Sequence, residues 1–222
     1  MLVLYHMLLC PFARKVRVVL KEKGLDFEPM TEKVWKRRPE FLALNPAGEV
    51  PVLVDEDGAA IADSVAITEF LEERHPEPPL LGAEPAERAE VRRLVAWFDQ
   101  KFQREVTRNL VDEKLDKRVL GLGQPSAAAL RAGSANLHIH MGYIDYLAER
   151  RHWLAGEAYS LADIAAGAQL SCIDYLGDVP WKDHAAAKEW YARVKSRPSF
   201  RPILADHFPG VAPPRHYADP DF

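Results

Sequence analysis

The sequence predicts an α/β domain followed by an all-α domain, and three observations carry that prediction. The first third alternates short aliphatic runs with an amphipathic helical run and contains a strong hairpin signal, Asp57-Gly58. His75-Pro76-Glu77-Pro78-Pro79 then puts three prolines in five residues, a stiff linker through which neither a helix nor a central strand can continue. Beyond it, apolar residues recur at helical spacing almost throughout. These features divide the chain into an N-terminal domain over 1–75, a linker over 76–84, a helical domain over 85–205 and a tail over 206–222.

The elements follow in order. Leu2 to His6 is aliphatic enough for a buried strand, and Pro11 opens a segment whose Val16, Val19 and Leu20 recur at helical spacing until Gly24 stops it. Leu25 to Met30 reads as a second short strand. Pro51-Val52-Leu53-Val54 and Ala59-Ala60-Ile61-Ala62 flank Asp57-Gly58 as the two arms of a hairpin. Asp63-Ser64 supplies N-capping oxygens for a helix running towards Arg74. In the helical domain Leu94, Trp97, Phe98 and Phe102 mark one apolar face, and Leu137, Met141, Ile144 and Leu147 mark another. Ser160-Leu161-Ala162-Asp163 caps a buried, alanine-rich helix through Ala165, Ala166, Ala168 and Leu170, which makes Asp163 a folding determinant rather than a catalyst. A last helix spans Ala186 to Ser196 and ends before Pro198.

Composition narrows the function classes. The 222 residues are 48% hydrophobic and 28% charged, as in an ordinary globular protein, and the net charge of -4 gives no general attraction for nucleic acid. Cys10 and Cys172 lie too far apart in sequence to read as a disulfide framework, which fits a reducing compartment and makes the cytoplasm the expected location. The N-terminal Met1 to Leu9 lacks the basic leader and small-residue cleavage site of a signal peptide. No apolar run approaches the roughly 18 residues that span a bilayer, so direct membrane insertion is not expected.

Three islands carry the candidate chemistry: Cys10-Pro11-Phe12-Ala13, Val50-Pro51 within Asn45-Pro46-Ala47-Gly48-Glu49-Val50-Pro51, and Asp63-Ser64. Cys10 opens the first helix, where the aligned backbone amides, with Arg14 and Lys15 nearby, would lower its pKa below the free value of roughly 8.5. The competing reading is an inert small residue packed beside Leu9 and Phe12. Ala13 stands where a second cysteine would be needed for dithiol exchange, so only monothiol chemistry is open to Cys10. Asp63 and Ser64 either cap their helix alone or also receive a ligand carboxylate, since both tasks use the same groups.

The βαβ-ββα order of the first third resembles the thioredoxin fold, and from Leu2 to Leu204 the chain resembles the glutathione transferase superfamily: a thioredoxin-like N-terminal domain followed by an all-helical C-terminal domain. The resemblance implies a cis peptide before Pro51, a Val50 backbone that pairs with the cysteinyl part of glutathione, and Asp63 and Ser64 at the γ-glutamyl end. Cys-Pro-Phe-Ala is similar to the motif of the Omega class, whose cysteine forms and reduces mixed disulfides with glutathione. Glu49 departs from the family pattern, which often has a neutral or basic residue near the glycyl carboxylate. Two anions close together in a partly desolvated groove cost roughly 1 kcal/mol or more, unless Lys33, Lys36 or Arg37 compensates.

The tail, proline-rich and polar, ends in Tyr217, Asp219, Asp221 and Phe222, aromatic anchors alternating with acids. It either straps onto its own body or anchors a partner. Joined to the opening Cys-Pro-Phe-x-Arg-Lys-Val-Arg, this ending resembles the FtsZ-binding cell-division branch of the superfamily in alphaproteobacteria, in which Pro220 here stands where leucine is common. That resemblance implies a homodimer that binds FtsZ filaments through its tail, alters their curvature and promotes constriction at the division site, without turnover and with no required cofactor. The alternative is a glutathione-dependent thiol transferase or reductase in which Cys10 attacks a mixed disulfide.

The remaining motifs read as structural. His138 and His140 point about 200° apart on a helix and so cannot share a metal ion, and no metal site is expected. Asp112 to Arg118 is a mixed charge run, a solvated helix end that in a filament-binding protein could form a partner rim. Trp35, Trp153, Trp181 and Trp190 read as packing residues, and Gly121-Leu122-Gly123 as a turn.

Overall fold

The computed structural model describes residues 1–219. Asp221 and Phe222, expected to anchor a partner, lie outside the described residues. A four-stranded sheet in the order β2-β1-β3-β4 forms the N-terminal domain, with β1 Leu2–His6, β2 Phe27–Thr31, β3 Val52–Val54 and β4 Ala60–Ala62. β2 runs parallel to β1, whereas β3 is antiparallel to both β1 and β4. Opposite Leu4 stand Pro29 on one side and Leu53 on the other, so the central strand buries its aliphatic face against both neighbours. Pro29 is tolerated because β2 is an edge strand with no ladder to donate to on its outer side.

Helix α1, Pro11–Glu22, begins with proline at a position that needs no intrahelical donor, and it buries Val16, Val19 and Leu20. Between β2 and β3 a 3-10 turn, Val34–Lys36, and a short helix α2, Pro39–Leu44, were not legible as helical. Their only buried residue is Phe41, which meets Tyr5 at 5.6 Å between ring centroids, so there is no apolar period to read. Helix α3, Ser64–Arg74, follows β4 and packs beside α1.

The linker is pinned rather than free. The Lys23 ammonium pairs with Glu72 at 2.6 Å and donates to the carbonyls of His75 at 2.7 Å and Pro78 at 3.1 Å. Leu80 and Leu81 are buried, and the Leu161 amide donates to the Leu80 carbonyl at 2.8 Å.

The second domain begins with α4, Pro85–Ala96, which runs directly into a π-wound segment, Trp97–Asp116, whose end is marked by the i→i−5 bond from the Lys117 amide to the Asp112 carbonyl. Short α5, Lys117–Leu120, closes this run at Gly121. Helix α6, Ala127–Ala148, packs back on the π-wound segment, and a Cβ at Gly133 would sit 2.8 Å from that of Asn109, so the approach requires glycine. Helix α7, Leu161–Tyr175, is buried on every side. Its small residues let α8, Ala185–Ser196, come close: a Cβ on Gly167 would meet Val194 at 3.0 Å. Asp163 performs the expected folding role, accepting from the Ser160 amide at 3.1 Å, the Leu154 amide at 2.9 Å and the Trp190 indole at 2.9 Å. Helix α9, Arg201–Leu204, precedes the tail.

One apolar core crosses both domains, from Leu4, Val16 and Leu53 to Phe98, Ile144 and Leu170, with α1 seated against α7. Truncating a buried residue such as Leu170 to alanine costs about 2–5 kcal/mol.

Candidate functional site

A cleft of about 650 Å³ opens between the sheet domain and the π-wound segment. Phe12, Glu49, Val50, Pro51, Asp63 and Ser64 line one wall, and Asp99, Gln100, Gln103, Arg104 and Arg108 line the other. The two islands Val50-Pro51 and Asp63-Ser64 are thus brought together, and the Val50-Pro51 peptide is cis. The second wall was missed from sequence. Its signal lay in the polar positions Gln100, Arg104 and Arg108, four residues apart, interleaved with the apolar Phe98, Phe102 and Val106.

Asp63 caps α3 through a single oxygen: its Oδ1 accepts from the Val65 amide at 2.6 Å and the Ala66 amide at 3.3 Å. It does so at φ 76°, ψ 134°, a left-handed backbone that costs a non-glycine residue about 1–3 kcal/mol and that these two bonds hold in place. Ser64 beside it is buried. Glu49 is exposed on the cleft rim, and its carbonyl accepts from the Asn45 side chain at 2.8 Å.

Of the two readings of Cys10, an activated thiolate or an inert packed residue, its surroundings favour the second. It is not among the residues lining the cleft, and its Sγ points to the Val50 carbonyl at 3.9 Å, an acceptor that only a protonated thiol can use. Burial pushes the thiol up to about 12, with the amides of Ala13 and Phe12 pulling the other way and Cys172 adding to the rise. The helix terminus is present, but desolvation outweighs it.

The positive charges expected to help Cys10 are spent elsewhere. Arg14 is wholly buried and donates to the Leu8 carbonyl at 2.7 Å, Ser171 Oγ at 2.8 Å, the Tyr217 hydroxyl at 2.9 Å, the Ile203 carbonyl at 3.3 Å and Asp206 at 3.3 Å. Arg17 grips the same Asp206 with two bonds of 2.7 and 2.9 Å. Lys15, also buried, is ion-paired with Asp99 of the π-wound segment. The Arg-Lys-Val-Arg stretch of α1 is therefore an inter-domain clamp.

Residues 9–74 match the family model described as glutathione S-transferase, N-terminal domain, and residues 134–198 match that of its C-terminal domain. FtsZ-localized protein A of Caulobacter vibrioides is 54% identical over 222 residues, covering 99% of this chain and 97% of that protein. The chain belongs to the glutathione S-transferase family. A crystal structure of a glutathione S-transferase from Rhodospirillum rubrum is 61% identical with TM-score 0.98 and full coverage of both chains. The structure of FzlA from C. crescentus is 54% identical with TM-score 0.96, covering 100% of this chain and 99% of that one.

On this glutathione S-transferase scaffold the tail is a strap. The Tyr175 hydroxyl donates to the Val211 carbonyl at 2.7 Å and accepts from the Phe208 amide at 2.8 Å. Lys195 donates to the His216 carbonyl at 2.8 Å, while His216 Nε2 meets Asp174 at 2.9 Å. Tyr217, expected at a partner-facing tip, is instead fully buried, its ring edge-on to Tyr175 with centroids 5.1 Å apart. A buried anchor has no face left for a partner. Asp219 is exposed.

Among the other predicted features, Trp35 departs from its expected packing role. It is 42% exposed and, with Val34, Val119 and Leu120, lines a shallow groove beside Glu49 and Asp116. Trp181 and Trp190 are buried as expected, and Trp153 is half-buried. Gly121 and Gly123 lie in the turn that follows α5. His140 turns inward, accepting from the Trp97 indole at 3.1 Å and meeting Glu105 at 3.0 Å, so it cannot join His138. Among the described residues no helix is long and apolar enough to cross a membrane, and no group of three or more His, Cys, Asp or Glu side chains could hold a metal ion.

Proposed function

We propose that this protein is a non-catalytic regulator of cell division on a glutathione S-transferase scaffold, which binds FtsZ filaments, alters their curvature and promotes constriction. It acts as a homodimer in the cytoplasm, at the division site, and needs no cofactor. The observation that carries the proposal is the 54% identity, over almost the whole of both chains, to a protein named for its localisation with FtsZ. Two features support it. Cys10 is half-buried beside Val50 at the cleft, and desolvation holds it as a neutral thiol, the wrong state for attack on a mixed disulfide. Trp35 presents an aromatic side chain at an apolar groove beside acidic residues, and exposed apolar patches of this kind mark protein contacts.

The test is co-sedimentation with FtsZ polymers. Because Tyr217 belongs to the core, removing 217–222 would confound binding with stability. Removal of Pro220-Asp221-Phe222 alone is the cleaner variant, and Trp35→Ala probes the groove. Full-length protein should pellet with polymer, with either change weakening it; full-length protein that stays in the supernatant at every FtsZ concentration sinks the reading.

The alternative, a glutathione-dependent thiol transferase using Cys10, is supported by the cleft, which Val50, Pro51, Asp63 and Ser64 line together. Turnover in a glutathione-dependent reductase assay that disappears in Cys10→Ser would decide for it.

A further inference from the structure

We propose that His138 and His184 form a two-histidine site for a divalent transition-metal ion of the zinc class, joining α6 to the start of α8. His138 Nδ1 lies 3.3 Å from His184 Nε2, and the ring centroids are 5.5 Å apart at an interplanar angle of 45°. Two imidazole nitrogens bound to one tetrahedral zinc at about 2.05 Å are separated by about 3.3 Å, so the nitrogens already stand at chelating distance.

The surroundings of His184 add what a ligand histidine needs. Its other nitrogen, Nδ1, meets Asp145 Oδ2 at 2.6 Å, and Asp145 Oδ1 in turn accepts from the Ala187 amide at 2.8 Å. With the Nδ1 proton committed to a fixed carboxylate, Nε2 carries the lone pair. A carboxylate that orients and polarises a ligand histidine from behind is the usual outer-shell partner of zinc. His184 itself is buried, while His138 is exposed and can complete the chelate without rearranging the core.

No third His, Cys, Asp or Glu side chain converges with them among the described residues, so water fills the remaining positions. The ion would thus be exchangeable and would act as a clasp between α6 and α8. The pairing is not readable along either helix, because the two histidines are 46 residues apart and the neighbour that spacing suggests, His140, faces the core.

Calorimetric titration of the full chain with zinc chloride alone, in a buffer that does not chelate, tests this directly. One equivalent should bind, with shifts of the coordinated imidazole nitrogens of His138 and His184 in 15N-detected spectra. His138→Ala, an exposed change that leaves the fold intact, should abolish that equivalent, whereas His152→Ala, at an exposed histidine elsewhere, should not. Asp145→Asn should weaken binding about tenfold, as loss of an outer-shell carboxylate does. Absence of a stoichiometric zinc equivalent, or an equivalent that survives in His138→Ala, would overturn the proposal and leave the pair as a hydrogen bond between imidazoles.

Discussion

The guanidinium of Arg14 and the hydroxyl of Tyr217, 203 positions apart, meet at 2.9 Å in the buried seam between the two domains. Arg14 belongs to the first helix of the chain, and Tyr217 is held by the last turn described before residue 220. The contact makes the tail part of the folded body. Tyr217→Phe removes the oxygen, leaving one donor of a buried guanidinium unpaired, and should destabilise by about 1–3 kcal/mol. Tyr217→Ala also empties the space beside Tyr175 and should cost about 3–5 kcal/mol. Urea melts of both variants against a chain lacking Pro220-Asp221-Phe222 check this; equal midpoints for all three would refute the anchoring role.

The domain order, the hairpin, the caps at Asp63 and Ser160 and the inward faces of the helices were legible because each is a local pattern with one physical reading. The tail was legible only as two alternatives, a strap or a partner anchor, because its alternating aromatics and acids fit either, and the donor that draws Tyr217 inward sits at the other end of the chain. Cys10 stayed ambiguous in the sequence for a related reason. Proximity in sequence put Arg14 and Lys15 beside it, but each charge is paired with a distant carboxylate, Asp206 at the start of the tail and Asp99 of the π-wound segment. The second wall of the cleft went unread because its signal lay in the polar positions Gln100, Arg104 and Arg108, which look like an ordinary solvated helix face until the sheet domain is set opposite them.

Cys10 should titrate late. Burial holds its folded pKa up to about 12, above the unfolded value of roughly 8.5, so the thiol stays protonated through neutral pH. The sign follows: folding binds this proton more tightly, so the stability it contributes is complete below the unfolded pKa and is lost as pH rises through the folded value. Alkylation by iodoacetamide should be slow at pH 7 and accelerate only in strongly alkaline buffer. A rate that already reaches its plateau near neutrality would show a stabilised thiolate instead.

The buried pair of Lys15 and Asp99 fastens α1 to the π-wound segment, and desolvation raises the Asp99 pKa despite the ammonium beside it. Removing one partner strands the other charge. Lys15→Met and Asp99→Leu should each destabilise by about 3–5 kcal/mol, while the two combined should recover much of the loss. Denaturant unfolding of the three variants measures the coupling, and additive losses in the double variant would contradict a desolvated pair.

Glu49 is the cleft residue most able to decide whether the family ligand binds. It faces the same space as Val50, Asp63 and Ser64, so a glutathione held by those groups would bring its glycyl carboxylate towards a second anion. The rim is exposed, so solvent screens the repulsion and keeps the effect modest. Glu49→Gln should tighten glutathione binding by about fivefold, with a larger gain at low salt because screening is then weaker. Ser64→Ala should weaken it in either background if the Ser64 hydroxyl receives the γ-glutamyl carboxylate, as the family resemblance implies. Calorimetry with glutathione at two ionic strengths tests both. If Glu49→Gln binds no better at low salt than the parent chain does, the glutamate is not near the ligand, and the cleft holds glutathione in another pose or not at all.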